Sequence, residues 1–261
     1  MGALCNHSLE LTGLAGNLQS PIHRLDPRAK IVGVITVTIV AVSTPLRLWP
    51  VFAACALVLA AVAAAARVSP RQIWRRAKFL LPIVGIVAIF VPFVRTGGAT
   101  YDLGPLTAHE AGLEVFALVA LKATIGTVGA VLLGATTTFP NVLRGLEAMR
   151  APRLLVLIAA FMYRYLFVIV EEVGRMRASL RARGYSPRHA LQSGAFGRLV
   201  AALFLRTYGR GERVYLAMLS RGYTGRMPEL RPLVFGRPDA AFLALILAAI
   251  VPLRVAGAVV L

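Results

Sequence analysis

Acid is scarce in this chain. Only 11 of 261 residues are Asp or Glu, against 29 Lys and Arg, for a formal net charge of +18. Most of those carboxylates lie outside the apolar runs, which leaves few metal or proton ligands at membrane depth and disfavours a transporter with an ion site of its own. Cysteine is scarcer still. Cys5 sits in polar N-terminal sequence and Cys55 in an apolar run, so neither a disulfide nor a metal pair is expected. The four histidines, His7, His23, His109 and His189, are scattered. HExxH, CxxC, the GxSxG elbow and the phosphate loop GxxxxGK[ST] are all absent. The chain therefore carries no evident means of binding ATP and no constellation for enzymatic work. Residues 1–30 hold no continuous apolar core, so no signal peptide is expected.

Oil is what the chain has in abundance. Hydrophobic residues make up 58% of it and the mean hydropathy is +0.73, well above a soluble domain. A nucleic-acid binder could share the charge but would not need apolar runs of membrane length. Six such runs occur, at 31–48, 50–66, 79–94, 113–139, 154–170 and 240–261. The connection 67–78 carries Arg67, Arg71, Arg75, Arg76 and Lys78 without an acid, which places it on the cytoplasmic side. Counting from there puts the N-terminus inside and the loop 95–112 outside.

The fifth run is the exception. If 154–170 crossed the membrane, residues 175–239 would lie outside with thirteen arginines against three acids, a net of +10. Arg164 also stands near the middle of the run, where an arginine costs about 2.5 kcal/mol or more. We read 154–170 as the apolar part of a long cytoplasmic-side helix. The expected fold is an all-α polytopic membrane protein with about five spans: 1–139 with helices one to four, a cytoplasmic module 140–239, and a last span at 240–261 with the C-terminus outside. Lys122, near the outer end of the fourth run, is expected to snorkel to the interface.

Three helices are predicted in the module. The first starts at Pro140 with Val142, Leu146 and Met149 on one face. The second runs from Pro152 to Arg183, 32 residues or about 48 Å. The third runs from Phe196 to Arg221, with Thr207 and Gly211 as small residues that would let another helix cross closely. The second and third each end in nearly the same phrase. One reads Ala182-Arg183-Gly184-Tyr185-Ser186-Pro187-Arg188, the other Ser220-Arg221-Gly222-Tyr223-Thr224-Gly225-Arg226. Glycine past a helix end takes the left-handed turn that closes it, and an arginine on the last turn suits the helix dipole. One copy is an ordinary cap. Two matching copies, each after a long helix, point to a shared function, with Arg181, Tyr185, Tyr223 and Arg226 in support. The remaining arginines, Arg198, Arg206, Arg210 and Arg213 among them, are read as headgroup contacts or solvated faces.

These two phrases, with Leu25-Asp26-Pro27-Arg28-Ala29-Lys30 before the first span, resemble the transmembrane coupling (T) component of energy-coupling-factor ABC importers. The continuation to Met227-Pro228 resembles its cobalt/nickel branch. The family signature is Ala-Arg-Gly twice; here the second copy has Ser220 for alanine. The resemblance implies a non-catalytic subunit in a bacterial cytoplasmic membrane. It further implies that Arg183 and Arg221 insert into grooves on two ABC ATPase subunits, which hold the ATP and magnesium while this chain binds no cofactor. A separate substrate-capture membrane protein would rest on the helices of 140–221. A planar guanidinium on a rigid helix end can make several directed hydrogen bonds in such a groove. Competing readings are an ABC permease with its own path, a membrane-anchored basic scaffold holding anionic lipid or nucleic acid, and a polytopic enzyme. Nucleic acid is not expected as a partner.

Overall fold

A computed structural model of the chain describes residues 20–75, 78, 100–102, 107–185, 193–225 and 233–260. Among these lie seven long or medium helices: α1 (Pro27–Ser43), α2 (Trp49–Ala65), α3 (Glu110–Thr136), α4 (Phe139–Ala148), α5 (Arg153–Ala182), α6 (Ser193–Ser220) and α7 (Arg237–Val260). A short antiparallel ribbon pairs β1 (Thr100–Asp102) with β2 (Thr107–His109), Tyr101 opposite Ala108. The all-α expectation holds apart from this ribbon, which lies in the loop 95–112. The third expected span, 79–94, lies outside the described residues.

The chain divides into two compact units at Pro152 and Leu233. One contains α1 to α4 and α7. Its core is apolar and continuous, with Val37, Phe52, Cys55, Leu59, Leu132 and Ile250 all buried. Small residues set the helix spacing: a Cβ at Gly33 of α1 would stand 3.0 Å from Ile246 of α7, and one at Gly129 of α3 3.3 Å from Val34. Outward positions such as Ile39, Trp49, Leu57 and Leu245 are exposed, as lipid-facing residues of a multi-pass membrane protein are. The other unit contains α5 and α6, and its only buried hydrophobic residues among those described are Val156 and Leu199.

Among the described residues four helices are long and apolar enough to cross a membrane: Leu46–Ala65, Glu114–Thr136, Arg153–Ala182 and Arg237–Val255. The third is α5, which the charge pattern had kept off the membrane and which passes on length and composition alone. The run 31–48 is not one helix. The chain is helical from Pro27 to Ser43; Thr44 is extended (ψ 130°) before Pro45, and Leu46–Leu48 forms a separate 3-10 turn. Proline disfavours a helical residue before it, and that outweighs the apolar run.

α4 packs with α1 in the bundle unit, and the compact division of the chain falls at Pro152 and Leu233. The buried face of α4 is Leu143 and Gly145, with Met149 exposed, in place of the Val142–Leu146–Met149 stripe. The cause is Gly145: a Cβ there would lie 2.8 Å from Ile31 Cδ1 and 3.2 Å from Pro27 Cβ, so the helix seats its smallest residue against α1.

Lys122 of α3 and Arg254 of α7 both donate to carbonyls at the end of α1, Val42 and Ser43 respectively, the latter at 3.1 Å. Cations there satisfy carbonyls that the helix leaves unpaired. Lys122 thus has a protein partner.

Candidate functional site

Both Arg-Gly phrases close their helices in the same way. After α5, the Gly184 amide donates to Arg181 O (2.9 Å) and the Tyr185 amide to Leu180 O (3.1 Å). After α6, the Gly222 amide donates to Leu219 O (2.9 Å) and the Tyr223 amide to Met218 O (3.0 Å). Gly184 and Gly222 have φ of +75° and +77°. This double return is the Schellman ending, with glycine in the left-handed position. A Cβ at either glycine would meet nothing within 4 Å, so glycine is favoured here by the left-handed backbone and not by lack of space.

The consequence is positional equivalence. Arg183 and Arg221 each occupy the last position before the chain turns away, and both are exposed. Neither forms an ion pair among the described residues. Ala182 and Ser220 precede them, both exposed; Ser220 Oγ donates back to Ala217 O at 3.0 Å, so its hydroxyl is used within its own helix. Arg181 is exposed, whereas Tyr185 and Tyr223 are half-buried at the closing position. Arg226 lies outside the described residues.

The two helices are braced together. Glu172 of α5 accepts from Arg175 on its own helix and from Arg206 on α6, while Arg175 also pairs with Glu171 at 3.2 Å. The hydrogen bonds from Arg175, and then from Arg206, hold the Glu172 carboxyl below the usual carboxylate range. Arg206 thus has a protein partner across the two helices. The Glu172–Arg175 pair is legible at helical spacing; its partner 34 residues on is not. The expected close crossing at Gly211 is not used, since a Cβ there would meet nothing within 4 Å. Thr207 turns its hydroxyl back to Leu203 O at 3.0 Å.

Two clefts flank the brace. One, of about 630 Å³, is lined by Arg175, Arg183, Arg198 and Arg206 with Glu172. The other, of about 670 Å³, is mostly apolar, with Ile158, Phe161, Met162, Val168 and Leu205. Leu154, Leu155 and Met162 on α5, and Phe204, Leu205 and Tyr208 on α6, are each more than 60% exposed. Uncovered apolar surface on this scale marks a contact with lipid or protein. Among the described residues no group of His, Cys, Asp or Glu could hold a metal ion.

A family model described as CbiQ, cobalt transport protein, matches residues 19–231. An energy-coupling factor transporter transmembrane protein, EcfT, of Thermosediminibacter oceani is 27% identical over 81% of this chain and 85% of its own length. A protein of Methanocorpusculum labreanum named as a fused cobalt transport protein, CbiMQ, is 29% identical over 80% of this chain. One of Bifidobacterium longum, named as an ABC transporter ATP-binding protein, is 30% identical over 89%. The chain spans only 36% and 31% of the length of these last two.

Proposed function

The chain belongs to the CbiQ family of cobalt transport proteins, and on that footing we propose that it is the transmembrane coupling subunit of an energy-coupling-factor importer, with Arg183 and Arg221 as its two docking points on a pair of ATPase subunits. The observation that carries the reading is the identical closure of α5 and α6, which puts two exposed guanidiniums at the same position of two braced helices. The ATP and its magnesium belong to the partner subunits. The alignment with about a third of a protein named for ATP binding supports that partnership.

Closure of the ATPase pair on ATP draws its two grooves together, and the tips move with them. The Glu172–Arg206 brace keeps α5 and α6 from sliding independently, so the motion reaches their apolar faces. There a separate capture protein is tilted or released. The substrate is a cobalt or nickel ion held by that capture protein. In this reading α5 stays on the cytoplasmic side despite its length, because exposed Arg164 and the Glu171–Arg177 charges would otherwise enter the bilayer; the N-terminus is inside and the C-terminus outside.

The experiment is co-purification with the cognate ATPase as wild type and as the Arg183→Glu, Arg221→Glu double variant. A complex that only the wild type forms is the expected result. A complex indifferent to both reversals overturns the reading and favours a basic scaffold.

A further inference from the structure

The phrase Leu25–Lys30 is not part of either tip, yet it sits at a junction of buried polar groups in the bundle unit. Asp26 caps α1 by accepting from the Arg28 amide at 2.8 Å, and Pro27 occupies the first turn. The Asp26 amide in turn donates to Asp239 Oδ1 at 2.7 Å, across 213 residues. The other Asp239 oxygen accepts from the Gly236 amide at 2.8 Å, capping the start of α7. Lys30 Nζ donates to Thr136 O, at the end of α3, and to His23 O, each at 3.2 Å. Asp26, Lys30 and Asp239 are 4–6% exposed, and both carboxylates act on the ammonium charge. On the adjoining side of α1, Gly145 of α4 is seated against Pro27 and Ile31.

The sequence positions of these partners are what matter. Thr136 and Gly145 belong to the stretch that leads into Pro152, where the chain leaves the bundle unit for α5. Gly236 and Asp239 belong to the stretch that follows Leu233, where it returns. One six-residue phrase thus grips both chain segments through which the bundle is joined to α5 and α6. Each of its four hydrogen bonds has a backbone amide or carbonyl at one end, so the bonds fix the path of the chain as well as the side chains. Buried polar groups so held tolerate little displacement, because leaving one without its hydrogen bond is costly.

From this placement, and on the coupling role proposed above, we infer that Asp239, with Asp26 and Lys30, is a positioning element that fixes both feet of the α5–α6 arm, so that movement of the tips is transmitted to the membrane helices and not absorbed at the feet. Asp239 touches neither ATPase nor substrate; it acts through the chain segments it holds.

The test uses the full complex of this chain with its ATPase and capture subunits in proteoliposomes, reading ATP hydrolysis and cobalt(II) uptake together. Asp239→Ala is expected to keep ATPase co-purification, to hydrolyse ATP within about twofold of wild type, and to lose about tenfold in uptake. Asp239→Asn, which keeps one acceptor, should fall between. If Asp239→Ala fails to assemble, Gly145→Ala serves instead: it retains every charge but pushes α4 off Ile31, and it should uncouple in the same direction. A merely structural role would lower yield, hydrolysis and uptake in proportion, and that outcome, or unchanged uptake, overturns the inference. Loss of ATPase docking in the wild type would instead strike at the coupling role itself.

Discussion

The bundle unit and the α5–α6 unit are built from similar residues by opposite rules. In the bundle, α1, α2, α3 and α7 close on one another around Phe52, Leu132 and Ile250, and its buried charges are tied to backbone groups. In the arm, the two longest helices of the described chain, 30 and 28 residues, bury only Val156 and Leu199 and are joined by one ion pair, Glu172 to Arg206. A bundle organised in the first way is stable by itself and resists shear. A pair organised in the second way has its apolar face uncovered and its tips exposed. Each helix keeps its shape through its own backbone bonds, while its contacts are left for partners. The lesson is that rigidity within an element and commitment between elements are separable, and the proposed coupling role needs the first without the second.

The largest effect expected is on the arm alone. Charge reversal at both tips should lower ATPase affinity by about 4 kcal/mol or more, taking each arginine as a hot spot of roughly 2 kcal/mol, while the thermal unfolding of the isolated chain in detergent stays where it was. A fall in thermal stability of similar size would erase the distinction between the units. The converse break lies in the bundle. Lys30→Met leaves the His23 and Thr136 carbonyls without their donor and removes the buried positive charge near Asp239, and removing one partner of such a buried set costs about 3 kcal/mol or more. Detergent-solubilised protein should unfold at lower temperature, and the α5 and α6 tips should remain competent to bind ATPase in whatever fraction stays folded.

A finer comparison concerns four helix ends. The chain after α2 and after α4 also closes with a Schellman return, Val68 to Ala63 O and Ala151 to Leu146 O, each at 3.0 Å. There the left-handed position is filled by Arg67 (φ +54°) and Arg150 (φ +67°). At the tips glycine takes that position and arginine sits one residue earlier. Closing a helix in this protein does not demand glycine, so the Arg-Gly order sets where the guanidinium stands. Arg150→Gly should therefore stabilise the fold by up to about 1 kcal/mol, and Gly184→Ala or Gly222→Ala should destabilise its helix end by about 1–2 kcal/mol. Chemical denaturation checks the first. Hydrogen exchange at the last turns of α5 and α6 checks the second, with no change in either direction counting against the assignment of strain.

How much of this was legible follows from the range of each interaction. The twin phrases announced both tips because a Schellman ending is local, made within six residues. Asp26-Pro27 announced the start of α1 for the same reason. Asp239 and Arg206 were not legible, since their partners lie 213 and 34 residues away and no periodicity connects them. The face of α4 was misread because Gly145, having no side chain, adds nothing to an apolar stripe yet makes the closest approach. The break at Thr44-Pro45 was present in the sequence, but hydrophobicity alone carries the run across it.

The smallest effect belongs to the brace, and it separates the two units most directly. Glu172 has its pKa lowered in the folded chain by Arg175 and then Arg206. A carboxyl lowered in this way contributes its full stabilisation above the unfolded value, about 4.3, and loses it as pH falls through the lowered value. The α5–α6 distance, read by spin labels on exposed positions of each helix, should thus be constant from neutral pH down to that ordinary value and widen only in stronger acid. Glu172→Gln should give the wider distance at every pH. Because the brace is exposed and joins side chain to side chain, inverting it should work: Arg206→Glu alone is expected to open the pair, and Glu172→Arg with Arg206→Glu to close it again, the new glutamate facing both position 172 and Arg175. The same inversion at Lys30 and Asp239 should not restore the bundle, because there the carboxylate accepts from backbone amides and the ammonium donates to backbone carbonyls, and a swapped pair cannot return those bonds. Restoration in both units, or in neither, would show that the two are held by the same kind of contact after all.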